Sequence, residues 1–245
     1  MKNLIVGNWK MNPQTQAEAK KLLEGVKKGI KQIKNTEVVV CPPFLYLPLL
    51  KGLSLGSQNC SWEERGAFTG EVSALMLKNL KINYIILGHS ERRKYFAETD
   101  EIINKKIKKA LVVGLKVIFC VGETAEEKDA GKKSEVLEKQ LKEGLRGASR
   151  DDAKKIAIAY EPVWSIGTGN NCSVSETMSS VLYIRKVITG VYNRQTADNT
   201  RILYGGSVKS ENSGAYIKET GVNGLLVGGA SLNAEEFIKI IKSAE

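Results

Sequence analysis

Glu161 and His89 are the side chains of this sequence best suited to moving a proton. Glu161 follows an apolar run, 156–160, and Pro162 after it discourages an immediate helix. A carboxylate there can act as a general base, and an ion-paired carboxylate at a sheet rim is the alternative. His89, the only histidine, follows the apolar run 84–87 at a predicted helix start. A helix N-terminus favours the neutral ring, which can donate a hydrogen bond, whereas an ordinary half-buried histidine is the alternative.

Lys10 and Asn8 place a cation and an amide close together after the first apolar run. Their side chains alternate around Trp9 in the segment NWKMN (8–12). A phosphorylated substrate requires a fixed positive charge of this kind. A surface lysine with a solvated head group is the alternative, and that description fits most lysines of the chain.

Three glycine clusters complete the set of candidate groups. They are Gly167-Thr168-Gly169, Tyr204-Gly205-Gly206-Ser207 and Val227-Gly228-Gly229-Ala230. The first lies in a loop after Glu161, and the other two follow the last two apolar runs. Singly, each cluster indicates no more than a turn. Together they are typical of a phosphate site in which backbone N–H groups face an anion.

Short apolar runs alternate with longer amphipathic stretches along the whole chain. The predicted strands are 4–7, 37–41, 54–58, 84–87, 116–121, 156–160, 201–204 and 224–227. The predicted helices are 15–33, 44–51, 74–80, 98–113, 132–146, 175–192, 210–218 and 234–243. Asn12 is the expected N-cap of the first helix, with Pro13 at its first position, and Asn233 precedes the last.

Eight strand-then-helix units without a linker predict one (β/α)₈ barrel domain over 1–245. A doubly wound open sheet is the alternative, but the chain lacks a Gly-x-Gly-x-x-Gly turn after its first strand. In such a barrel, residues that follow strands gather at one face. The candidate residues should therefore share one pocket although they are far apart in sequence.

The net charge of +10 raises the question of a nucleic-acid partner. The lysine clusters, however, fall in segments that read as helix or helix edge, are spread along the chain and lack interleaved aromatic residues. They favour solvated outer helix faces, so we expect no nucleic-acid partner. A positive field still helps to attract an anionic substrate.

The cysteines and the apolar runs bear on the cellular compartment. Cys41, Cys60, Cys120 and Cys172 share no close spacing, which indicates neither a disulfide framework nor a Cys-x-x-Cys metal site. No apolar run approaches the roughly 18 residues that suggest a membrane span. The first run is too short for a signal-peptide core. We expect a protein of the reducing cytoplasm, without a membrane partner.

Residues 62–73 form a long connection after the third strand with no predicted regular structure. Connections of this length usually have a function or are disordered. The apolar tip, Ala67-Phe68, is poorly suited to free exposure in water. Insertion beside residues 8–11 of a second copy would bury Phe68 and let Thr69 support the catalytic edge. A loop packed on its own subunit is the alternative.

Eight segments spread over nearly the whole chain resemble, in order, the signature segments of the triosephosphate isomerase family. They are NWKMN (8–12), QN (58–59), GAFTGEVS (66–73), GHSERR (88–93), CVGE (120–123), AYEPVWSIGTG (159–169), YGGSV (204–208) and LVGGASL (226–232). The stretches around His89 and Glu161 are highly specific. The resemblance implies a cofactor-independent, metal-free isomerase that interconverts dihydroxyacetone phosphate and D-glyceraldehyde 3-phosphate in glycolysis and gluconeogenesis. It also implies a homodimer joined through residues 62–73.

The resemblance implies a role for each matching residue. Glu161 corresponds to the catalytic base, His89 to the electrophile, and Asn8 and Lys10 to substrate-polarising groups. The backbone phosphate clamp corresponds to Gly167, Ser207, Gly228 and Gly229. The supporting positions are Glu91 beside Lys10, the buried thiol Cys120, the loop tip Thr69, and Ile166 and Leu226, which would enclose Glu161 when a lid over residues 162–169 closes.

Some positions depart from the commonest family pattern. Ser165 stands where the lid more often carries Ala, and Asn170-Asn171 stand where Lys is frequent. The segment Cys172-Ser173-Val174-Ser175 replaces the usual Thr-Pro helix start. These departures concern lid motion and local stability rather than the reaction.

Two other functions stay open on the sequence alone. A different phosphosugar isomerase or epimerase could use the same barrel, but metal-dependent epimerases need several His or Asp ligands. A non-catalytic phosphate-binding or nucleic-acid-binding barrel could keep the glycines and the positive charge. The joint presence of Glu161, His89 and Lys10 argues against that class.

Overall fold

The computed structural model describes residues 1–167 and 170–245, and within these ranges eight parallel strands close into a barrel. The strands are β1 (Asn3–Asn8), β2 (Thr36–Cys41), β3 (Ser54–Ser57), β4 (Tyr84–Leu87), β5 (Lys116–Val121), β6 (Ile156–Tyr160), β7 (Arg201–Tyr204) and β8 (Gly224–Val227). Strands that are consecutive in sequence are neighbours, and β8 pairs with β1, with Leu4 opposite Gly224 and Val6 opposite Leu226. The expected (β/α)₈ barrel is confirmed.

Helices connect the strands around the outside of the barrel. In the described part of the chain they are α1 (Gln16–Gly29), α2 (Ala74–Asn79), α3 (Ser90–Phe96), α4 (Asp100–Val112), α5 (Ala125–Asp129), α6 (Lys133–Gly144), α7 (Arg150–Ala153), α8 (Val174–Val191), α9 (Arg194–Asn199), α10 (Ser210–Glu219) and α11 (Ala234–Ser243). Short 3₁₀ turns at Phe44–Tyr46, Val163–Ser165 and Gly229–Leu232 follow β2, β6 and β8. None of the described helices is both long and apolar enough to cross a membrane.

Two apolar layers follow from the alternation of side chains along each strand. Leu4, Val6 and Ile118 belong to a buried cluster that fills the barrel interior. Ile5 and Ile85, at alternate positions, belong to a second buried cluster shared with the helices. The barrel is thus packed on both sides of its strands, which gives the residues at the strand ends a rigid support.

Two predictions about helices were wrong. The N-cap of α1 is Thr15 rather than Asn12: the Thr15 hydroxyl accepts from the Glu18 N–H at 3.2 Å, and the Glu18 carboxylate accepts from the Thr15 N–H at 3.0 Å. This reciprocal capping box satisfies two N–H groups at once. The predicted helix 44–51 is reduced to the 3₁₀ turn Phe44–Tyr46, because Pro48 has no N–H with which to continue a helix.

Candidate active site

A cavity of 420 Å³ opens at the carboxyl ends of the strands, where this fold gathers its functional residues. Groups that follow β1, β4, β6, β7 and β8 line it. The members of the predicted set that do so are Asn8, Lys10, His89, Glu161, Ile166, Gly167, Ser207, Leu226, Gly228 and Gly229. The barrel therefore brings the candidate base, the candidate electrophile and the glycine clusters into one space.

Glu161 is 2% exposed and is held on both sides of its carboxylate. One oxygen, Oε2, accepts a hydrogen bond from the Ser90 backbone N–H at 2.9 Å, and Oε1 lies 3.2 Å from His89 Nε2. The Glu161 N–H donates to the Val121 carbonyl at 2.8 Å. A Cβ atom at Gly122 would collide with the Glu161 carbonyl, so glycine is required for β5 to approach this residue so closely.

His89 forms the N-cap of α3, and its Nε2 atom faces the Glu161 carboxylate. Its Nδ1 accepts a hydrogen bond from the Glu91 backbone N–H at 3.2 Å. An acceptor nitrogen carries no proton, so in this arrangement the ring proton belongs on Nε2. Nε2 is the atom nearest Glu161, and it can donate to a substrate oxygen in the cavity.

Lys10 has a left-handed backbone conformation, with φ of +53°, which few residues other than glycine adopt. Asn8 Oδ1 accepts from the Lys10 N–H at 3.0 Å, and the Gln58 amide donates to the Lys10 carbonyl at 2.8 Å. The Lys10 ammonium contacts Glu91 Oε1 at 2.5 Å. A left-handed conformation costs about 1–3 kcal/mol, and such residues cluster at functional sites. Asn8 and Gln58 hold the conformation that presents the Lys10 ammonium to the cavity.

The end of the cavity beside β8 combines the Lys10 ammonium with backbone N–H groups. Gly228 approaches Lys10 so closely that a Cβ atom at Gly228 would lie 3.4 Å from the lysine Cε. The 3₁₀ turn Gly229–Leu232 begins next to it, and the first N–H groups of a helical turn have no partner within the turn. Backbone donors and an ammonium group thus meet at the place where Ser207 also lines the cavity. This combination suits a phosphate dianion.

Cys120 lies beneath the site and is fully buried. Burial, and to a smaller extent the nearby Glu161 carboxylate, raises the pKa of the Cys120 thiol well above its usual range. The group therefore remains a neutral thiol and does not compete as a nucleophile.

Comparison with known proteins gives the same assignment over the whole chain. The family profile described as triosephosphate isomerase matches residues 3–244. Among proteins named triosephosphate isomerase, the one from Caldanaerobacter subterraneus subsp. tengcongensis is 47% identical over 244 residues, covering 97% of this chain and 98% of the relative. Those from Dictyoglomus thermophilum and Alkaliphilus oremlandii are each 46% identical, covering 99% and 98% of this chain and the same shares of the relatives.

The chain belongs to the triosephosphate isomerase family. The resemblance seen in the sequence is confirmed, and the chain is an isomerase. The barrel is the fold that the resemblance implied.

Three residues with an expected role in triosephosphate isomerase lie outside the cavity lining. Glu91 contacts the Lys10 ammonium. Cys120 lies behind Glu161. Thr69 is exposed on the loop 62–73 and does not line the cavity of its own chain.

The lid predicted over residues 162–169 includes Thr168 and Gly169, which lie outside the described residues. Part of the predicted Gly167-Thr168-Gly169 cluster is therefore not described either. At the start of the lid, the Trp164 indole N–H donates to Glu123 Oε1 at 2.9 Å. Burial raises the pKa of Glu123. The hydrogen bond between Trp164 and Glu123 connects the start of the predicted lid to the segment that follows β5.

Several residues of the site were not identified from the sequence. Val208, Lys209 and Glu236 line the cavity without having been given a role, whereas Gly205, Gly206 and Ala230 belong to the predicted glycine clusters and line it as well. The position of Val208 and Lys209 just after β7 was an available signal, and Glu236 reaches the cavity from α11. The Ser90 amide left no signal, because any residue at that position has a backbone N–H. Within residues 1–167 and 170–245, no group of three or more His, Cys, Asp and Glu side chains is arranged to hold a metal ion.

Proposed function

We propose that Glu161 moves the proton when this protein interconverts dihydroxyacetone phosphate and D-glyceraldehyde 3-phosphate. The reaction is that of the triosephosphate isomerase family, and it serves glycolysis and gluconeogenesis. The observation that carries the residue assignment is that the Glu161 carboxylate, His89 Nε2 and the Lys10 ammonium border one cavity. The substrate is a small phosphorylated triose, and the chemistry needs no cofactor.

The chemistry explains why these groups are needed together. A C–H bond beside a carbonyl is too weakly acidic for a carboxylate unless the developing enediolate oxygen is stabilised. Glu161 supplies the base, and His89, Lys10 and Asn8 supply donors along the edge that carries the two oxygens. Glu161 is bound to the Ser90 amide in the structure, so it must leave that donor to reach the substrate carbon.

The phosphate clamp and the lid protect the intermediate. An enediolate beside a phosphate can expel that group, so the site benefits from holding the phosphate in the enediolate plane and excluding water. Backbone N–H groups of Gly167, Ser207, Gly228 and Gly229 supply the clamp. On closure, Ile166 and Leu226 cover Glu161 and strip water from its carboxylate, which strengthens a carboxylate as a base.

A coupled isomerase assay on the purified protein tests this proposal. The protein should convert glyceraldehyde 3-phosphate at the same rate with and without a chelator. Absence of turnover would refute the function. Loss of turnover with the chelator would refute the metal-free mechanism.

We further propose a homodimer in which residues 62–73 of each subunit enter the other. Exposed apolar side chains support it: Met11 is 85% exposed, Leu45 65%, Phe68 44% and Phe96 64%. They follow β1, β2, β3 and β4, which are adjacent in the barrel, so they share one side of its upper face. The exposure of Phe68 disfavours the alternative of a loop packed on its own subunit.

The dimer is tested by shortening the loop. Deletion of residues 67–70 should give a folded monomer with severely reduced kcat, because Thr69 no longer supports the neighbouring catalytic edge. Circular dichroism checks the fold, and analytical ultracentrifugation gives the mass. A monomeric wild-type protein with full activity at micromolar concentration would contradict the proposal.

We also place the protein in the reducing cytoplasm. Its cysteines, Cys41, Cys60, Cys120 and Cys172, are free and buried, so the fold uses no disulfide among them. Fractionation of the source cells with an antibody to the protein tests this location.

A further inference from the structure

A second cavity, of 220 Å³, opens at the end of the barrel opposite to the candidate active site. We call it the amino-end cavity, because residues at the starts of β1, β4, β5, β6 and β7 line it. Its charged lining residues are Lys116, Lys154, Lys155 and Arg201, and no acidic side chain of the described residues belongs to the lining. The cavity wall therefore carries positive charge.

Three of these cations are directed to the cavity by the alternation of side chains along the strands. Lys116, Lys155 and Arg201 each stand two residues before an apolar residue of the barrel interior. Those interior residues are Ile118, Ala157 and Leu203. Positions two apart lie on the same side of a strand, so the three cations share the inner side of the barrel at its amino end.

One carboxylate approaches this group of cations, and both of its oxygens are occupied. Glu37 Oε2 accepts from Arg201 Nη1 at 2.8 Å, and Glu37 Oε1 accepts from the Tyr84 hydroxyl at 2.6 Å. Lys116 Nζ lies 3.2 Å from the Tyr84 oxygen and 3.6 Å from Glu37 Oε1. A single negative charge thus faces two cations, and it holds them in fixed positions.

The acidic residues of α7 do not neutralise Lys155. Asp151 accepts from the Lys154 ammonium at 2.7 Å, and Asp152 accepts from the Ser149 N–H at 2.9 Å. Within the described residues, Lys155 is left without an ion pair. The amino-end cavity therefore keeps an excess of positive charge after its local carboxylates are counted.

This excess is unfavourable for the protein alone. Lys116 and Lys155 precede the paired residues Val117 and Ile156 on β5 and β6, and like charges facing each other on neighbouring strands are destabilising. A bound anion would relieve that repulsion. Arg201 also retains a donor for it, because its Nη2 has no hydrogen-bond partner among the described residues.

We propose that the amino-end cavity binds a short phosphate chain, of two or three phosphate groups. The cations start three consecutive strands, β5, β6 and β7, and neighbouring strands are about 4.8 Å apart. One phosphate group does not reach across two such spacings, whereas a chain does. Lysine and arginine side chains form strong charge-assisted hydrogen bonds with phosphate oxygens. The proposed site is separate from the isomerase site and does not depend on its activity.

Calorimetric titration with tripolyphosphate at low salt tests the proposal, with the candidate active site filled by glycerol 3-phosphate. The wild type should bind one tripolyphosphate per chain, more weakly as salt is added. K116A/K155A should weaken binding about tenfold, the effect of two lost contacts between exposed charges. K20A/K21A removes two exposed lysines of α1 and is the matched control, which should stay within about twofold of the wild type.

Two outcomes would overturn the site. The wild type could fail to bind tripolyphosphate once the active site is filled, or both double variants could lose affinity equally, which would mean that only net charge matters. Adenosine triphosphate in the same titration identifies the source of the chain. Tighter binding than tripolyphosphate would indicate a nucleotide, and equal or weaker binding would indicate an inorganic chain.

Thermal unfolding gives a second readout that needs no turnover. Without tripolyphosphate, K116A/K155A should unfold at the same temperature as the wild type or higher, because it removes like charges. With tripolyphosphate and glycerol 3-phosphate present, the wild-type Tm should rise and that of K116A/K155A should rise less. An equal rise in both proteins would refute binding at the amino-end cavity.

Discussion

The Glu161 carboxylate divides its two oxygens between the Ser90 amide and the His89 ring. Both partners come from the start of α3. The proposed electrophile, His89, therefore also helps to hold the proposed base, Glu161, in place. A change in the position of α3 would affect both functions together.

Replacement of Glu161 by Gln should abolish most turnover while leaving binding intact. The amide keeps the shape of the side chain but cannot accept the proton, so kcat should fall about 10²- to 10⁴-fold. Steady-state kinetics and calorimetric binding of a substrate analogue measure the two effects. E219Q, at an exposed glutamate at the end of α10, is the control. Near-normal turnover in E161Q would show that Glu161 is not the base.

His89 should carry its proton on Nε2. The Glu91 N–H donates to Nδ1, and a protonated Nδ1 would lose that bond. Nitrogen NMR of a ¹⁵N-labelled sample at pH 7 reports the tautomer directly, because the chain has one histidine. A proton on Nδ1, in either the Nδ1–H tautomer or a doubly protonated ring, would contradict the bond in which Nδ1 accepts from the Glu91 N–H.

The sequence predicted which side chains line the cavity better than it predicted the backbone groups that support them. Glu161, His89 and Lys10 were recognisable because each residue type suits the chemistry and each follows a strand. The roles of the Ser90 amide and Gly122 were not recognisable. Both depend on the spatial approach of backbone segments, and only the pairing of β5 with β6 brings Gly122 against Glu161.

Among the secondary-structure elements, the strands and the short helix α2 were predicted nearly to the residue, and three other short helices were not. β4, β5, β6, β7 and β8 have the expected bounds, because a buried parallel strand is a continuous apolar run between polar residues. The helices α5, α7 and α9 have four to six residues each. That is too short for apolar periodicity to show. Their N-caps, Thr124, Ser149 and Asn193, were the available signal.

The close approach of β5 and β6 makes Gly122 a sensitive position. G122A places a methyl group against the Glu161 carbonyl, so it should push the base out of position, destabilise the fold by about 1–3 kcal/mol and lower kcat. G190A in α8 has open space around the new methyl group, and it should be neutral or slightly stabilising. Urea unfolding and kinetics measure both variants. Wild-type behaviour of G122A would show that β6 yields easily.

The predicted lid, residues 162–169, and the loop after β7, residues 205–207, should respond together when the substrate phosphate binds. Glyceraldehyde without the phosphate should therefore lose kcat as well as affinity, because phosphate binding energy drives closure. Steady-state kinetics with both substrates at saturation decide the matter. Equal kcat values would mean that closure does not depend on the phosphate.

For the whole molecule, the buried thiols predict lower stability in alkali. Burial raises the pKa of Cys60 to about 12 and that of Cys172 to about 11. In the unfolded chain the pKa of a cysteine thiol is about 8.5. Above that pH the folded chain binds more protons than the unfolded chain, so the free energy of unfolding falls as pH rises. The slope is about 1.4 kcal/mol per pH unit for each thiol.

Thermal unfolding under reducing conditions between pH 8 and 10 measures this loss. C172A removes one of the thiols. The slope of the free energy of unfolding against pH should therefore become smaller by the equivalent of one proton, whatever the effect of the substitution on stability at pH 8. Identical slopes in the two proteins would show that Cys172 ionises equally in the folded and unfolded states.

Because β8 pairs with β1, the barrel can close only after the last strand has been synthesised. Lys10 follows the first strand, while Gly228 and Gly229 follow the last. A nascent chain that has not yet released β8 from the ribosome has neither a closed sheet nor a phosphate site. Until then β1 and β7 each present an unpaired edge that can bind another chain. Catalytic competence and protection from aggregation therefore arrive in the same late step of biosynthesis.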